Sequence, residues 1–455
     1  MQDIPVGLYS FSFAQKSWGT HWPGQKAILE YIHEVVEQFN LRNIVLRTEV
    51  REASYADGIW TVRIRNLDTG VEAVKTCNIF ITCAGGLREP SIPSFAASKN
   101  SGFDGAVFHS AQWDHKVDYK GKHVVLVGNG CSGAQIVPNM INDVASLTQV
   151  ARSRQSYLPP PPLPSSWLWF WCARWIPGHA KEGASEVSVR AVHDRMPLPR
   201  KLIPRHIVQP ASDALVPDFD IAAKRRVFDS GYLASMHNPK FNLIQDDAVV
   251  SLKGRTVTTA KGIEIEADIV VLSTGFKVQE YLFPLRVINQ SGVELVKQLK
   301  ETNAKMYRGT VASNFPNMFI IMGPNTATGH SSVIFTSEAQ IIMTLKLIAP
   351  ILKKLKTGEK LPSPAPSVEV TERAENEYYK ELRVQMKDRV WEKDGGVVRL
   401  MPSTYSNAIE RSSPSQSWYV DQKTRLCTAL YPWSQNHFWY HATWPDRTHF
   451  AYKGL

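Results

Sequence analysis

The chain has 455 residues, 43% of them hydrophobic and 21% charged, the balance of a globular protein with room for two or three domains. No apolar run reaches the roughly eighteen residues that a membrane helix needs, so we predict no membrane span. The N-terminal residues lack the basic and apolar regions of a secretory signal. The formal charge is +10, but the basic residues are dispersed, so we expect an anionic cofactor rather than a nucleic-acid partner.

The cysteine pattern argues against disulfides and metal. The five cysteines form no C-x-x-C pair and no zinc spacing with histidine, so we expect reduced thiols and a cytoplasmic protein. Residues 165–178 are rich in tryptophan. We interpret them as a packed lid helix, and contact with a membrane surface is the alternative.

The first ninety or so residues alternate between helical and strand patterns. From Gly24 to Asn40, apolar residues recur at steps of three and four, which predicts an amphipathic helix. Strands are then predicted at 44–50, 60–65, 71–75 and 78–82, with a glycine-containing hairpin loop at 66–70.

The strongest local signal is a glycine turn between a strand and a helix. His123–Val127 is an apolar run, and Gly128-Asn129-Gly130-Cys131-Ser132-Gly133 follows it directly. In this context Gly128 permits a tight turn, Gly130 lets a pyrophosphate approach the backbone, and Gly133 lets helix and strand pack closely. The sequence therefore predicts a dinucleotide-binding turn at a helix N-terminus.

The next predicted strand, Ser146–Val150, indicates which dinucleotide binds. At its end an NAD site carries an acidic residue for the ribose 2′-hydroxyl. Here the strand runs into Ala151, Arg152, Ser153 and Arg154. Arginine suits a 2′-phosphate, so we predict NADP(H); two ordinary surface arginines are the alternative.

The remainder of the chain continues the nucleotide domain after an insertion. Residues 157–164 are rich in proline, and helices are predicted near 181–195 and 219–236. A strand at 248–252, a hairpin at 256–265 and a strand at 269–272 follow, then a second glycine turn at 273–276. A strand at 318–322, a turn at 323–329, and helices at 335–355 and 368–389 complete the pattern, with Ser331 as a predicted N-cap.

One longer motif is far more specific than the glycine turn. The spacing F-x-G-x-x-x-H-x-x-x-W-D is formed by Phe103, Gly105, His109, Trp113 and Asp114. It resembles, at every position, the fingerprint of the Baeyer–Villiger monooxygenases, which are class B flavoprotein monooxygenases. Further segments that look like this family, in the same order, lie at 9–13, 124–133, 223–232, 273–276, 323–325 and 417–419. Residues 315–332 are similar to members from fungal secondary metabolism.

The resemblance implies an α/β fold with two doubly wound, Rossmann-like dinucleotide-binding domains and a helical insertion. The implied FAD domain covers residues 1–117 and is completed, with a cofactor-closing tail, by 276–455. The implied NADP domain covers 118–154 and 223–275, and the insertion or lid covers 155–222. The first FAD βαβ unit, with its own glycine turn, should precede Asp3 and is missing, because the chain has a single GxGxxG. We expect either a start further upstream or a degenerate relative.

The resemblance also implies residue roles. Arg225 matches the catalytic arginine, with Asp3 as its carboxylate partner. Asp3 and Tyr9 match flavin contacts, and Val50 matches a backbone contact. His109 matches a linker residue that couples domain movement, so we assign it a structural or gating role. The other implied cofactor contacts are Gly128, Asn129, Gly130, Cys131, Ser132, Gly133, Ala134, Gln135, Ala151, Arg152, Lys224, Asn325 and, on the nicotinamide side, Trp418.

Three functions stay open from the sequence. The first is FAD- and NADPH-dependent insertion of one oxygen atom from O2 into a ketone, giving an ester or lactone in polyketide or terpenoid biosynthesis. Arginine suits this chemistry because it stays protonated and can hold negative charge and the nicotinamide amide together. The second is N- or S-oxygenation, which Trp113 and Asp114 disfavour. The third is a non-catalytic remnant that binds NADP(H). Neither the substrate nor the oligomeric state can be inferred from the sequence.

Overall fold

The computed structural model describes residues 6, 9–20, 22–97, 102–158, 224–225, 227–327, 332–356, 363–387, 389, 391–392, 419–421 and 423–455. The chain forms two compact units. Among the described residues, unit 1 comprises those within 89–277, and unit 2 comprises those within 6–88, 278–392 and 419–455.

Unit 1 is built on a five-stranded parallel sheet. Its strands are β5 (Ala106–His109), β6 (His123–Val127), β7 (Ser146–Ala151), β10 (Phe241–Gln245) and β14 (Ile269–Leu272), in the order β10-β7-β6-β14-β5. β14 is buried along its whole length and β6 everywhere but its first residue, as expected of parallel strands covered on both faces. The predictions of β6, β7 and β14 are confirmed.

The edge strand β5 carries His109 of the fingerprint motif and belongs to this sheet. It pairs in parallel with β14 from Ala106–Ile269 to His109–Leu272. The predicted domain boundary at 117/118 therefore lies inside unit 1, which begins at Glu89. The spacing could not show this, because the pairing joins segments about 160 residues apart.

Smaller elements complete unit 1. They are α2 (Ser94–Ala97), α3 (Cys131–Met140), β8 (Tyr157–Leu158), β9 (Val227–Phe228), α4 (Tyr232–Ser235) and the antiparallel strands β11 (Val249–Lys253), β12 (Thr256–Thr259) and β13 (Glu264–Glu266). The helix predicted at 219–236 is wrong for the described residues before Tyr232. Lys224 and Arg225 are not helical, β9 pairs with β8, and α4 begins only after Gly231, whose φ is 102°. The helix predicted at 181–195 lies outside the described residues.

Unit 2 contains a four-stranded sheet of order β15-β1-β2-β3 and two strand pairs, β16-β4 and β17-β18. The strands are β1 (Thr48–Ala56), β2 (Ile59–Asn66), β3 (Glu72–Cys77), β4 (Phe80–Thr82), β15 (Arg286–Ile288), β16 (Met318–Ile320), β17 (Ser367–Val370) and β18 (Phe450–Lys453). β1 begins at Thr48 rather than at the predicted Ile44. Its pairing with β2 starts there, opposite Asn66, and Arg47 before it has a φ of 54°.

The helices of unit 2 surround these strands. They are α1 (Gln25–Gln38), α5 (Leu295–Glu301), α6 (Val333–Lys356), α7 (Glu372–Lys387) and α8 (Gln435–Thr443). α1 confirms its prediction. The helix predicted from residue 368 begins at Glu372, because Ser367–Val370 pairs with β18 instead.

Among the described residues, α6 alone has the length and hydropathy of a membrane span, with 44% of its apolar window buried. Its inner face carries Met343, Leu347 and Ile351, which are all buried in the main core cluster of unit 2. That pattern is typical of a core helix.

Candidate functional site: a phosphate-binding turn in unit 1

The turn after β6 has the geometry that its glycines predict. Gly128 has a φ of 107°, and a Cβ atom there would lie 2.5 Å from the Ser273 carbonyl oxygen. A Cβ atom on Gly133 would lie 2.6 Å from the Gly128 carbonyl oxygen. A Cβ atom on Gly130 would meet nothing within 4 Å. Gly128 and Gly133 are therefore required by packing, whereas Gly130 faces open space where a ligand can approach.

Helix α3 begins directly beyond this open space. Its first residue is Cys131, followed by Ser132, and Gly130 is an N-cap without a side-chain hydrogen bond. The amide N–H groups of Asn129 and Gly130 have no acceptor among the described residues. Ala134 is buried and Gln135 half-buried one turn into the helix. Open N–H groups at a helix N-terminus favour an anion, so the turn fits a phosphate group.

The carbonyl groups of the turn point into the protein. Gln149 Nε2 donates to the Gly128 carbonyl over 2.8 Å, and the Tyr157 hydroxyl donates to the Asn129 carbonyl over 2.9 Å. The Tyr232 hydroxyl donates to Gln149 Oε1 over 2.6 Å. These three side chains were missed from the sequence as site residues.

The basic residues after β7 separate into two roles. Arg152 is exposed and has no ion pair among the described residues, so its charge is available to a ligand. Arg154 forms a salt bridge of 3.3 Å with Asp246. Lys224 Nζ donates to Ser153 Oγ over 2.9 Å and so lies at the same loop. Ala151 is buried at the end of β7.

Arg225 lies beside this loop through its backbone. The Gln155 side chain, itself buried, donates to the Arg225 carbonyl. This contact brings Arg225 close to the residues that follow β7, 70 positions away in the chain. Asp3 and Trp418, the other members of the predicted catalytic and nicotinamide sites, lie outside the described residues.

The fingerprint motif packs β5 onto its neighbours. A Cβ atom on Gly105 would lie 2.2 Å from the Asp268 carbonyl oxygen, so the close approach of β5 requires glycine. Phe103 forms a bridge with Gly254, and Trp113 packs edge-on against Phe108 at 5.0 Å. Asp114 accepts a hydrogen bond from the Lys116 amide over 3.0 Å.

His109 is the buried centre of this motif. It is 2% exposed, its Nδ1 accepts from the Ala111 amide over 3.1 Å, and its ring lies 5.8 Å from that of Phe276. Burial lowers the pKa of His109. A neutral, enclosed imidazole suits the predicted structural role better than proton transfer to a substrate.

Three predicted cofactor contacts lie on separate elements of unit 2. Tyr9 is in a turn, and Val50 is exposed at an irregularity in β1. Asn325 is buried after β16, and its Nδ2 donates to the Cys427 and Leu430 carbonyls over 2.8 and 3.0 Å. Both amide hydrogens of Asn325 are thereby used to hold the 427–430 segment. Ser332, rather than the predicted Ser331, caps α6 by accepting from the Phe335 amide over 3.1 Å; Ser331 lies outside the described residues.

Comparisons with known proteins agree with this architecture. Residues 13–156 match the model of the flavin-binding monooxygenase-like family. The chain is 30% identical over 387 residues to the uncharacterized monooxygenase y4iD of Sinorhizobium fredii, covering 77% of this chain but only 57% of that relative. It is 29% identical over 444 residues to a Baeyer–Villiger monooxygenase of Streptomyces coelicolor, covering 94% and 78% of the two chains.

The fold is also found among solved structures. The structure of OTEMO in complex with FAD and NADP superposes with a TM-score of 0.78 at 18% identity, covering 99% of this chain and 90% of that one. The chain therefore shares the α/β fold with two dinucleotide-binding domains. By sequence, residues 13–156 are similar to the flavin-binding monooxygenase-like family, and most of the chain is similar to a Baeyer–Villiger monooxygenase.

Proposed function

We propose that this chain is an FAD- and NADPH-dependent monooxygenase that inserts one atom of O2 into a ketone, giving an ester or lactone. The observation that carries the proposal is that the complete Phe103–Asp114 fingerprint and an open glycine turn lie in one unit, at strands β5 and β6 on either side of β14. The relative from Streptomyces coelicolor, which carries the name of this activity, supports it over 94% of the chain.

Unit 1 fits NADP(H) through three features. The N–H groups of the 128–133 turn would hold the pyrophosphate, and the open space over Gly130 admits it. Arg152, exposed and unpaired among the described residues, would hold the 2′-phosphate, with the Lys224 ammonium at the same loop. Gln135 and Ala134 would line the first turn of α3.

Unit 2 would hold FAD. Asp3, Tyr9 and Val50 would contact the flavin, and Asn325 would act by fixing the segment on which Cys427 lies. When bound, the reduced flavin supplies oxygen activation, and NADPH supplies the hydride.

The chain's own residues would then control charge and water. Arg225 stays protonated at all working pH values and would stabilise negative charge on the activated oxygen, with Asp3 orienting its guanidinium. Trp418 would cover the nicotinamide side and exclude water. His109 would remain neutral within the packed motif and transmit movement of β5.

Ketone oxidation and heteroatom oxidation are distinguished by the product. Trp113, which packs on Phe108, and Asp114 complete the ketone-type fingerprint, so we favour ketones, including polyketide or terpenoid intermediates. The test is to supply the FAD-reconstituted chain with NADPH, O2 and either a cyclic ketone or a thioether. We expect lactone from the ketone; sulfoxide without lactone would contradict the ketone assignment.

A further inference from the structure

The phosphate-binding turn is held from the protein interior by two tyrosines near the two ends of the insertion. Tyr157 lies on β8, near the start of the insertion, and Tyr232 begins α4, after its end. β8 and β9 pair in parallel, and the two tyrosine rings stack with centroids 4.7 Å apart. The two ends of the insertion therefore meet at one stacked pair in unit 1.

Each tyrosine reaches a different carbonyl of the turn. Tyr157 donates its hydroxyl directly to the Asn129 carbonyl over 2.9 Å. Tyr232 acts through Gln149, which accepts at Oε1 over 2.6 Å and donates from Nε2 to the Gly128 carbonyl over 2.8 Å. Tyr232 and Gln149 are completely buried, so water does not compete for these hydrogen bonds.

Both hydroxyl groups are reliable donors. Burial raises the pKa of Tyr157 and of Tyr232 well above the usual value, so both carry their proton at every pH at which the protein would be assayed. Gln149 has its amide orientation fixed, because its oxygen faces a hydroxyl donor and its nitrogen faces a carbonyl.

The direction of these bonds has a consequence for anion binding. The Gly128 carbonyl shares a peptide with the Asn129 N–H, and the Asn129 carbonyl shares a peptide with the Gly130 N–H. A donor on each carbonyl keeps that carbonyl pointing inward, so the paired N–H points outward, and it polarises the peptide in the sense that favours an anion. If a peptide flipped, a carbonyl oxygen would face the phosphate and repel it.

We propose that Tyr157 and the Tyr232–Gln149 pair are positioning residues that set the affinity of the turn for the nucleotide pyrophosphate. This inference rests on the proposed binding of NADP(H).

The test uses two ligands that share a 2′-phosphate. NADP+ carries a pyrophosphate, and adenosine 2′-monophosphate does not. Calorimetric titration of the full chain with each ligand would be carried out for the wild type, Tyr157→Phe, Tyr232→Phe and Gln149→Leu. The Tyr379→Phe variant is the control, because it removes a comparable tyrosine-to-carbonyl hydrogen bond, to Asn303, in unit 2.

We expect Tyr157→Phe to raise the Kd for NADP+ about fivefold, as for loss of one buried hydrogen bond, and to leave the Kd for adenosine 2′-monophosphate unchanged. Tyr232→Phe should also raise the Kd for NADP+, by a smaller factor. The double variant Tyr232→Phe/Gln149→Leu, titrated in the same way, should have the same Kd as Gln149→Leu alone. Tyr379→Phe should match the wild type.

Two results would overturn this inference and leave the proposed function standing. These are an unchanged Kd for NADP+ in Tyr157→Phe, and an equal loss of both ligands, which would indicate general damage to unit 1. If wild-type protein binds neither ligand, the proposed function fails and the inference fails with it.

Discussion

The Ser273 carbonyl oxygen occupies the space that a side chain on Gly128 would need, 2.5 Å from an ideal Cβ atom. Ser273 follows β14, and Gly128 follows β6, so the contact joins the ends of two adjacent parallel strands. The phosphate-binding turn is therefore shaped by the neighbouring strand as well as by its own sequence.

This contact gives a matched pair of glycine variants. Gly128→Ala should lower the free energy of unfolding by about 2 kcal/mol or more. The added Cβ atom would clash with the Ser273 carbonyl oxygen, and the alanine would have to adopt the positive φ of this position. Gly130→Ala should leave that free energy nearly unchanged, because its Cβ meets nothing within 4 Å, yet it should weaken NADP+ binding by filling the approach to the turn. Denaturant unfolding and NADP+ titration check both. Equal loss of stability in the two variants would contradict this account of the turn.

Our proposal assigns the choice of NADP over NAD to Arg152. Arg152→Gln should raise the Kd for NADPH roughly tenfold or more, because a charge-assisted bond to the 2′-phosphate is lost. The Kd for NADH should change little. Arg63→Gln, an exposed arginine with 64% of its side chain accessible in unit 2, is the control. An unaltered ratio of the NADPH and NADH constants in Arg152→Gln would show that the 2′-phosphate binds elsewhere.

Arg225 should separate the two halves of the reaction. Arg225→Ala should still oxidise NADPH but form no ester or lactone, because its positive charge is needed only after the hydride has been transferred. Arg225→Lys keeps the charge without the two-pronged donor and should recover only part of the product. NADPH consumption and product are measured in the same reaction. Wild-type ester yield from Arg225→Ala would refute this role.

Because of two histidines in unit 2, we expect the folded protein to lose stability in acid. Burial, reinforced by Arg308, lowers the pKa of His441 to about 4 and also lowers that of His437, whose ring lies 4.3 Å from it. The unfolded chain takes up protons near the ordinary pKa of 6.5 while the folded protein does not, so stability is present above that pH and falls between about 6.5 and 4.

The His441→Gln variant checks this sign. Its thermal midpoint should fall less than that of the wild type between pH 7 and pH 4, because one proton-binding difference is removed. His33→Gln, on the exposed side of α1, serves as the comparison. A steeper decline in His441→Gln would mean that the histidine is charged in the folded protein.

Sequence reasoning succeeded where the signal is local. β6, β14 and the turn between β6 and α3 follow from short apolar runs and from glycines that the backbone requires. It failed where structure depends on distant partners. β9 forms by pairing with β8 across the insertion, and the helix predicted over this region begins only at Tyr232.

The same distinction applies to the site. The geometry of the glycine turn could be predicted because its glycines directly follow a strand and precede a helix, whereas the role of Arg152 stays a prediction. In the sequence, Gln149 is a polar residue within the predicted strand Ser146–Val150. Its partner Tyr232 lies 83 positions away, so no local pattern joins them. Tyr232 stood within a family-like segment, but the segment gave no indication of what its hydroxyl contacts.

The most direct test of the proposed function follows the oxygen atom. The purified chain, reconstituted with FAD, would be given NADPH, a cyclic ketone and isotopically labelled O2, and the product analysed by mass spectrometry. The account predicts a lactone with one labelled oxygen atom and consumption of one NADPH per lactone formed. NADP+ binding without flavin uptake or labelled product would contradict it and would leave the chain as a nucleotide-binding protein without oxygenase activity.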